Sequence, residues 1–355
     1  MTQTSQISIG ASKIGLGCPV YIVAELSANH HQDFQEAVRL VHAAKEAGAN
    51  AVKLQTYTAD TITIPSDREP FRVGGGTLWD GATLYELYSR AYTPWDWQPR
   101  LKSIANELGM DLFSTPFDLS SIEFLEEMGV PAHKVASFEL VDIPLLRALA
   151  KTGKPLIIST GMASVEEIEE ALSAVGGWNS EVVLLKCTSA YPALPDEMNL
   201  RTIPEMQVRF GLPVGLSDHT RGLAVPVAAV TLGACLIEKH LTLSRSAEGP
   251  DSAFSLEPSE FKQMVETVRE TERALGGVRY GPSERETVSR AFRRSLFVVR
   301  DIKRGEPFTA ENVRSIRPGH GLHTRYLPEI LASLAARDIE RGTPVSWDLV
   351  NKQCG

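Results

Sequence analysis

Residues 155–187 read PLIISTGMASVEEIEEALSAVGGWNSEVVLLKC, and this stretch decides the fold. Residues 155–159 are a short β-rich apolar run, and residues 182–187 are another. Between them Ser164 and Glu167 form a capping box, Ile168, Leu172 and Val175 repeat on one helical face, and Gly176 supplies a stop. Strand, capped helix and strand make a βα unit, and repeated units of this kind build a parallel sheet. Outward from here the alternation extends from Val20 to about Gly277, with further apolar runs at 20–24, 51–55, 111–114, 134–137, 213–217 and 235–240. That makes eight, the number that closes a (β/α)8 TIM barrel. Asp33 is placed to cap a helix that runs through Ala47 and ends at Gly48, and 259–275 predicts a last amphipathic helix.

Two stretches break the rhythm. Residues 56–94 far exceed a usual βα loop and hold Gly74-Gly75-Gly76, Trp79 and several tyrosines, which predicts a lid or substrate wall at the strand-end face. Beyond a polar stretch at 276–286, Arg300-Asp301-Ile302-Lys303-Arg304-Gly305 recurs as Arg337-Asp338-Ile339-Glu340-Arg341-Gly342, so a small β-rich domain of two half-copies is expected. The resulting division is a catalytic barrel over 1–280, a linker over 281–290 and a small domain over 291–355.

Composition narrows the function. The 355 residues are 43% hydrophobic, enough for a full core, and the net charge is -8 with lysines and arginines scattered. That pattern excludes a nucleic-acid track and a basic membrane patch, and favours a small-molecule substrate. Residues 1–13 lack the basic start and apolar core of a signal peptide, and no apolar run approaches a bilayer span, so a cytoplasmic protein is expected. Cys18, Cys187, Cys235 and Cys354 form no CxxC pair and read as ordinary reduced thiols rather than a zinc knuckle or disulfide framework.

In a barrel of this class chemistry collects where the strands finish. Here the ends carry Glu25, Lys53 and Gln55, Thr115, Lys134 with Ser137 and Glu139, Ser159, Ser189 with Tyr191, Ser217 with His219, and Glu238 with His240. Any one of these alone reads as a satisfied strand-end polar group; the set reads as a site. Side chains alternate with period two, so Lys53 and Gln55, Ser137 and Glu139, Ser217 and His219, and Glu238 and His240 are each expected to face one way. Lys53 and Lys134, with hydroxyls from Thr115, Ser137, Ser159 and Ser217, supply what a small phosphorylated carboxylate needs; lysines paired with carboxylates such as Glu139 are the plainer alternative. His219 and His240 lie on neighbouring strands and can converge on Mn²⁺, Mg²⁺ or Co²⁺, with Glu25 the candidate carboxylate beside them. Hydrogen-bonded barrel histidines are the alternative, and Asn29 and His30 read as loop residues shaping the site.

These stretches resemble the sialic acid synthase family, a barrel followed by an antifreeze-like (SAF, β-clip) domain. The likeness is carried by Ile22-Val23-Ala24-Glu25, Lys53 through Gln55, Ser114-Thr115-Pro116, Lys134-Val135-Ala136-Ser137, Ile158-Ser159-Thr160-Gly161, Lys186-Cys187-Thr188, Gly215-Leu216-Ser217-Asp218-His219, Glu238-Lys239-His240 with Gly249-Pro250-Asp251, Arg294-Ser295-Leu296 and Arg317-Pro318-Gly319. Within the family the pseudaminic acid synthases are most similar, through Gln55-Thr56-Tyr57-Thr58, Gly75-Gly76-Thr77-Leu78-Trp79-Asp80, Leu84-Tyr85-Glu86-Leu87-Tyr88 and Ser137-Phe138-Glu139. Where the family continues its first-loop Asn-His into glycine, this chain has His31-Gln32, so no role is transferred to His30 or His31.

The resemblance implies a phosphoenolpyruvate-dependent, C–C bond-forming transferase that condenses phosphoenolpyruvate with an open-chain 2,4-diacetamido-2,4,6-trideoxy-altrose. On this pattern Lys53, Thr115, Lys134, Ser137, Ser159, Ser189 and Ser217 hold phosphoenolpyruvate, and His219 and His240 hold the divalent metal. Glu25 is the base, Glu238 tunes the metal, and Gln55, Glu139, Tyr191 and Asp251 hold the sugar. Arg317 is lent to a second subunit in a domain-swapped homodimer. Three alternatives stand beside it: an N-acetylneuraminate or legionaminate synthase, a Schiff-base aldolase using Lys53, Lys134 or Lys186, and an ice- or sugar-binding module with an inactive barrel.

Overall fold

The computed structural model describes residues 6–74, 76, 79–177, 181–247 and 249–351; Gly75, Thr77, Leu78, Cys354 and residues 1–5 lie outside the described residues. The chain divides into two compact units, Met1–Gly276 and Gly277–Gly355. Residues 284–289, within the expected linker, form a short helix, Glu284–Ser289, capped by Ser283.

The first unit is a closed barrel. A hairpin of β1 (Ile7–Ile9) and β2 (Ser12–Ile14) precedes it, and β3 (Tyr21–Glu25), β4 (Ala51–Thr56), β5 (Asp111–Pro116), β6 (His133–Val135), β7 (Leu156–Ser159), β8 (Val182–Cys187), β9 (Val214–Asp218) and β10 (Leu236–His240) follow. All neighbours are parallel and β10 closes against β3, pairing His240 with Glu25. The predicted runs match these strands to within a few residues.

Alternation sorts the strand residues into two cores. Val52, Leu54, Leu184 and Leu216 point outward into the layer beneath the helices, while Tyr21, Val23, Phe113, Leu185 and Leu236 fill the lumen. The hairpin packs under this lumenal layer through buried Ile7, Ile9 and Ile14. Its turn residue Gly10 has φ 56, and a Cβ there would lie 2.2 Å from Asp111 Oδ1, so glycine is required on both counts. The sequence gives no strand signal for this hairpin, because two three-residue strands are too short to show a period.

The helices start as their caps predict. Asp33 accepts from the Gln35 and Glu36 amides at the head of Phe34–Glu46, and the Ser164–Glu167 box heads Val165–Ala174. Residues 56–94 hold the short helices Ala59–Ile62 and Leu84–Ala91. No helix among the described residues is long and apolar enough to cross a membrane.

In the second unit the two half-copies clasp each other. Ile302 and Ile339 exchange both backbone hydrogen bonds, at 2.9 and 2.8 Å. Asp301 accepts from the Arg341 amide at 2.7 Å and Asp338 from the Arg304 amide at 2.8 Å. The repeated Arg-Asp-Ile therefore serves a reciprocal contact around a core of Leu296, Val298, Phe308, Val313 and Ile330. Around it β11 (Ser295–Val298) pairs β12 (Val313–Ile316), and β13 (Leu334–Ala335) pairs β14 (Val350–Asn351), both antiparallel.

Candidate active site

Parity along the strands decides what meets at their ends. Lys53 and Gln55, Ser137 and Glu139, Ser217 and His219, and Glu238 and His240 all line one cavity of about 570 Å³, with Lys134, Ser159, Tyr191 and Asp251. Glu25 and Thr115 lie behind this lining: Glu25 Oε2 is 2.5 Å from Lys53 Nζ, and Thr115 Oγ1 accepts from Lys53 at 3.4 Å. Ser189 is outside the lining, 3.8 Å from Cys187 Sγ. Lys186 also faces away, donating to the Cys187 carbonyl at 2.7 Å and to Thr188 Oγ1. Arg317 belongs to the second unit, where it is exposed.

The two cavity lysines are in different states. Lys53 is gripped by Glu25 and, at 3.5 Å, by Glu238; burial favours its neutral form, but the two carboxylates outweigh that and raise its pKa. Lys134 donates only to neutral groups, the Val135 carbonyl at 2.8 Å and Ser159 Oγ at 2.7 Å, and burial brings its pKa down to about 8. Lys134 is thus the cation whose charge no contacting carboxylate balances among the described residues. An anion entering the cavity can take Lys134 as a charged donor without breaking an ion pair. Ser137 Oγ accepts from the Gly161 amide at 3.0 Å, and a Cβ at Gly161 would come within 2.7 Å of that oxygen, so glycine leaves room for the hydroxyl.

His219 and His240 face each other with ring centroids 5.4 Å apart, and both rest against Phe254. The Thr188 carbonyl accepts from His219 Nδ1 at 2.9 Å, which fixes the ring; burial pulls the His219 pKa down, but the hydrogen bond and charge of Cys187, with the Thr188 carbonyl, outweigh that and raise it. His240 Nδ1 is buried without a hydrogen-bond partner among the described residues. Two oriented imidazoles on adjacent strands, one with an orphaned nitrogen, fit a divalent cation as a two-nitrogen donor pair. Glu25 does not complete the set, because its carboxylate is engaged by Lys53. Among the described residues no third His, Cys, Asp or Glu joins them, so water or substrate oxygen would supply the other positions.

Four carboxylates meet the cavity or its back wall. Burial raises Glu25 to about 7 against the pull of Lys53, with Glu238 adding to the rise. Burial likewise brings Glu139 to about 7 and Asp251 to about 6. Glu238 is lowered instead, since Lys134 and Lys53 outweigh its burial. Glu25 Oε1, Glu139 Oε2 and Glu238 Oε2 are buried with no hydrogen-bond partner among the described residues. Orphaned acceptors of this kind are expensive in a folded protein and cluster where donors arrive with a ligand.

The loops brace the mouth. Asn29 donates to the Leu241 carbonyl at 3.0 Å and to Ser255 Oγ at 2.9 Å, tying the loop after β3 to the one after β10. His30 contacts Thr93 Oγ1 at 3.1 Å and the edge of Trp97, outside the lining. From the long excursion Trp79 donates to the Pro250 carbonyl at 2.9 Å and packs on Tyr191.

Leu84 and Leu87 line the cavity as the expected substrate wall over 56–94 requires, whereas Phe117, which carries no polar signal, and Cys187, which reads from sequence as an ordinary thiol, join the lining without being expected there. The position of Cys187 at the end of β8 was the available clue. Burial raises the Cys187 thiol, but the hydrogen bonds of His219 and Ser137 and the charges of His219 and Lys134 together outweigh it and bring the pKa to about 7.

The NeuB family model matches residues 40–280 and the SAF domain model matches residues 293–351. A pseudaminic acid synthase of Helicobacter pylori is 44% identical over 94% of this chain and 98% of its own length. One from Campylobacter jejuni is 46% identical over 91% of this chain and 94% of its own. Among solved structures, an N-acetylneuraminic acid synthetase from Leptospira borgpetersenii superposes with a TM-score of 0.71 at 33% identity, covering 81% of this chain and 95% of that one. With the family model spanning more than half of the chain and relatives this similar along nearly all of it, the chain belongs to the NeuB family.

Proposed function

We propose that this chain condenses phosphoenolpyruvate with the open-chain aldehyde of 2,4-diacetamido-2,4,6-trideoxy-altrose, giving pseudaminic acid and phosphate. The observation that carries the reading is one cavity holding Lys134 with no carboxylate in contact, two oriented imidazoles and carboxylate oxygens without hydrogen-bond partners among the described residues. Lys134 and Lys53, with Ser137, Ser159 and Ser217, hold the phosphate and carboxylate of phosphoenolpyruvate, and Thr115 and Ser189 support that shell from behind. Gln55, Glu139, Tyr191 and Asp251 orient the sugar amides and hydroxyls. His219 and His240 would hold a divalent cation (Mn²⁺, Mg²⁺ or Co²⁺), which supplies Lewis-acid polarisation of the aldehyde oxygen.

The enol carbon C3 bonds to the aldehyde carbon as the C=O π pair moves onto the aldehyde oxygen, which takes up a proton from solvent to become the new hydroxyl, and positive charge is left at C2. Water adds to C2 with its proton passing to Glu25, whose pKa near 7 suits a base at neutral pH, and Lys53 is placed to stabilise the carboxylate before transfer. Cleavage of the bond from C2 to the phosphate oxygen then releases phosphate and leaves the keto acid. On this reading the protein is cytosolic and works as a domain-swapped homodimer, with Arg317 of each copy reaching the sugar site of the other. Exposed Leu119, at the head of the helix after β5, and Phe138, Val141, Met162 and Leu194, in the loops after β6 to β8, offer the barrel an apolar rim for such a contact.

Phosphate release from phosphoenolpyruvate, measured with the trideoxy altrose, N-acetylmannosamine and the legionaminate precursor, with and without EDTA, tests the proposal. Release only with the trideoxy altrose, lost on chelation and restored by Mn²⁺, is expected; faster release with another sugar refutes the branch. Inactivation by borohydride in the presence of pyruvate would point to a Schiff base on Lys134 or Lys53 instead.

A further inference from the structure

The helix Leu84–Ala91 is started by a reciprocal box in which Thr83 Oγ1 accepts from the Glu86 amide at 3.2 Å and Glu86 Oε2 from the Thr83 amide at 2.9 Å. This cap fixes the rotation of the helix, and with it the direction of Leu84, Leu87, Tyr88 and Ala91, which fall at i, i+3, i+4 and i+7 on one stripe. Such a stripe ordinarily seats on a core. Here all four side chains line the cavity instead. Tyr88 is held in place by Tyr57, ring to ring at 5.5 Å, and Tyr57 in turn by Phe117 at 5.1 Å. The cavity therefore has two chemically distinct parts: charges and hydrogen-bonding groups from the strand ends, and an apolar wall from the excursion.

This division orients a sugar. Its aldehyde end must lie on the strand-end floor beside His219 and His240. Its acetamido groups need donors and acceptors, which the strand-end side supplies through Gln55, Glu139 and Tyr191. The end farthest from the aldehyde is the deoxygenated C6, a methyl with no polar demand. We infer that Leu84, Leu87 and Tyr88 form a specificity wall that receives the C6 methyl, so that the enzyme selects 6-deoxy sugars by burying apolar carbon rather than by a hydrogen bond. This rests on the reading of the cavity as an amino-sugar aldehyde site. A 6-hydroxyl set against Leu84 and Leu87 would lose its water without gaining a partner from those side chains.

The test compares kcat/KM for the 6-deoxy sugar and its 6-hydroxy counterpart in the parent, Leu87→Asn and Leu87→Met, with KM for phosphoenolpyruvate as the internal control. The parent should favour the deoxy sugar by about 100-fold, the scale on which an apolar pocket rejects an added hydroxyl. Leu87→Asn should cut that preference at least tenfold through the deoxy sugar alone, while Leu87→Met keeps it and KM for phosphoenolpyruvate stays within about twofold in both. An unchanged preference in Leu87→Asn, or an equal loss for both sugars, overturns the wall. Saturation-transfer NMR of the sugar on the phosphoenolpyruvate-loaded parent separates the two levels. The C6 methyl should give the strongest signal; a sugar that reacts with its C6 methyl weakly saturated overturns the wall alone, and a sugar that neither binds nor reacts overturns both.

Discussion

Lys239 and Asp218 alternate with the histidines on β10 and β9, so they point out of the lumen into the layer under the helices. Each is 1% exposed, and their charged atoms lie 2.5 Å apart. Lys239 also donates to the Thr220 carbonyl and, at 3.5 Å, to Thr220 Oγ1, while the Thr220 amide donates to Asp218 Oδ1 at 2.9 Å. Every ammonium proton thus has a partner, and the residue after His219 is pinned to the strand that carries His240. Replacing Lys239 with Met leaves a buried carboxylate without its counter-charge, which costs about 3–5 kcal/mol. At about 2–4 °C per kcal/mol for a domain of this size, Tm should drop by roughly 6–20 °C. The double variant Lys239→Met/Asp218→Asn removes both charges yet keeps an acceptor for the Thr220 amide, and should recover most of that loss. Differential scanning calorimetry at pH 7.5 reads both. A Tm for Lys239→Met within about 1 °C of the parent, or a double variant no better than the single, would refute the reasoning.

Three further outcomes follow from the same geometry. Because burial lifts Glu139 to about 7, and its ionised form is the one that accepts from sugar hydroxyls, KM for the sugar should fall as pH rises from 6 to 8; Glu139→Gln should raise KM and flatten that profile, and a parent profile already flat would remove Glu139 from sugar binding. Gly161→Ala presses a methyl on Ser137 Oγ and should raise KM for phosphoenolpyruvate about tenfold while leaving Mn²⁺ binding, followed by titration calorimetry, unchanged. Lys134→Ala and Arg317→Ala should each be nearly inactive, but mixed after reversible dissociation they should regain about a quarter of parental activity, since in a swapped pair one site is rebuilt intact; a mixture as inactive as its components speaks against the exchange.

The barrel was readable from sequence because its signals are local and repeated: a capping box at Ser164, a stop at Gly176 and an apolar run on either side recur around the ring. The floor of the site was readable for the same reason, since period-two alternation carries Lys53 with Gln55 and Glu238 with His240 to one face without any knowledge of distant contacts. Alternation says nothing about depth. Glu25 and Thr115 share the parity of lumenal residues, yet Lys53 extends across them and takes the cavity surface for itself. Ser189 follows the end of β8, where the chain has left the regular pleat and the parity argument no longer applies, whereas Lys186 lies within β8 and shares the outward parity of Leu184. The stripe of Leu84–Ala91 is visible as a helix, but whether such a face seats on a core or a cavity depends on what lies opposite, and that is a tertiary fact.

The hairpin beneath the barrel has a kinetic corollary. Among the described residues Ile7, Ile9 and Ile14 stopper the strand starts, so the end of the barrel away from the lining side chains is filled with packed apolar carbon. Whatever enters first lies deepest, and nothing can depart behind it. On the proposed reading, with phosphoenolpyruvate held on that floor by Lys134, the sugar would close over it, and the nine-carbon acid would leave ahead of phosphate.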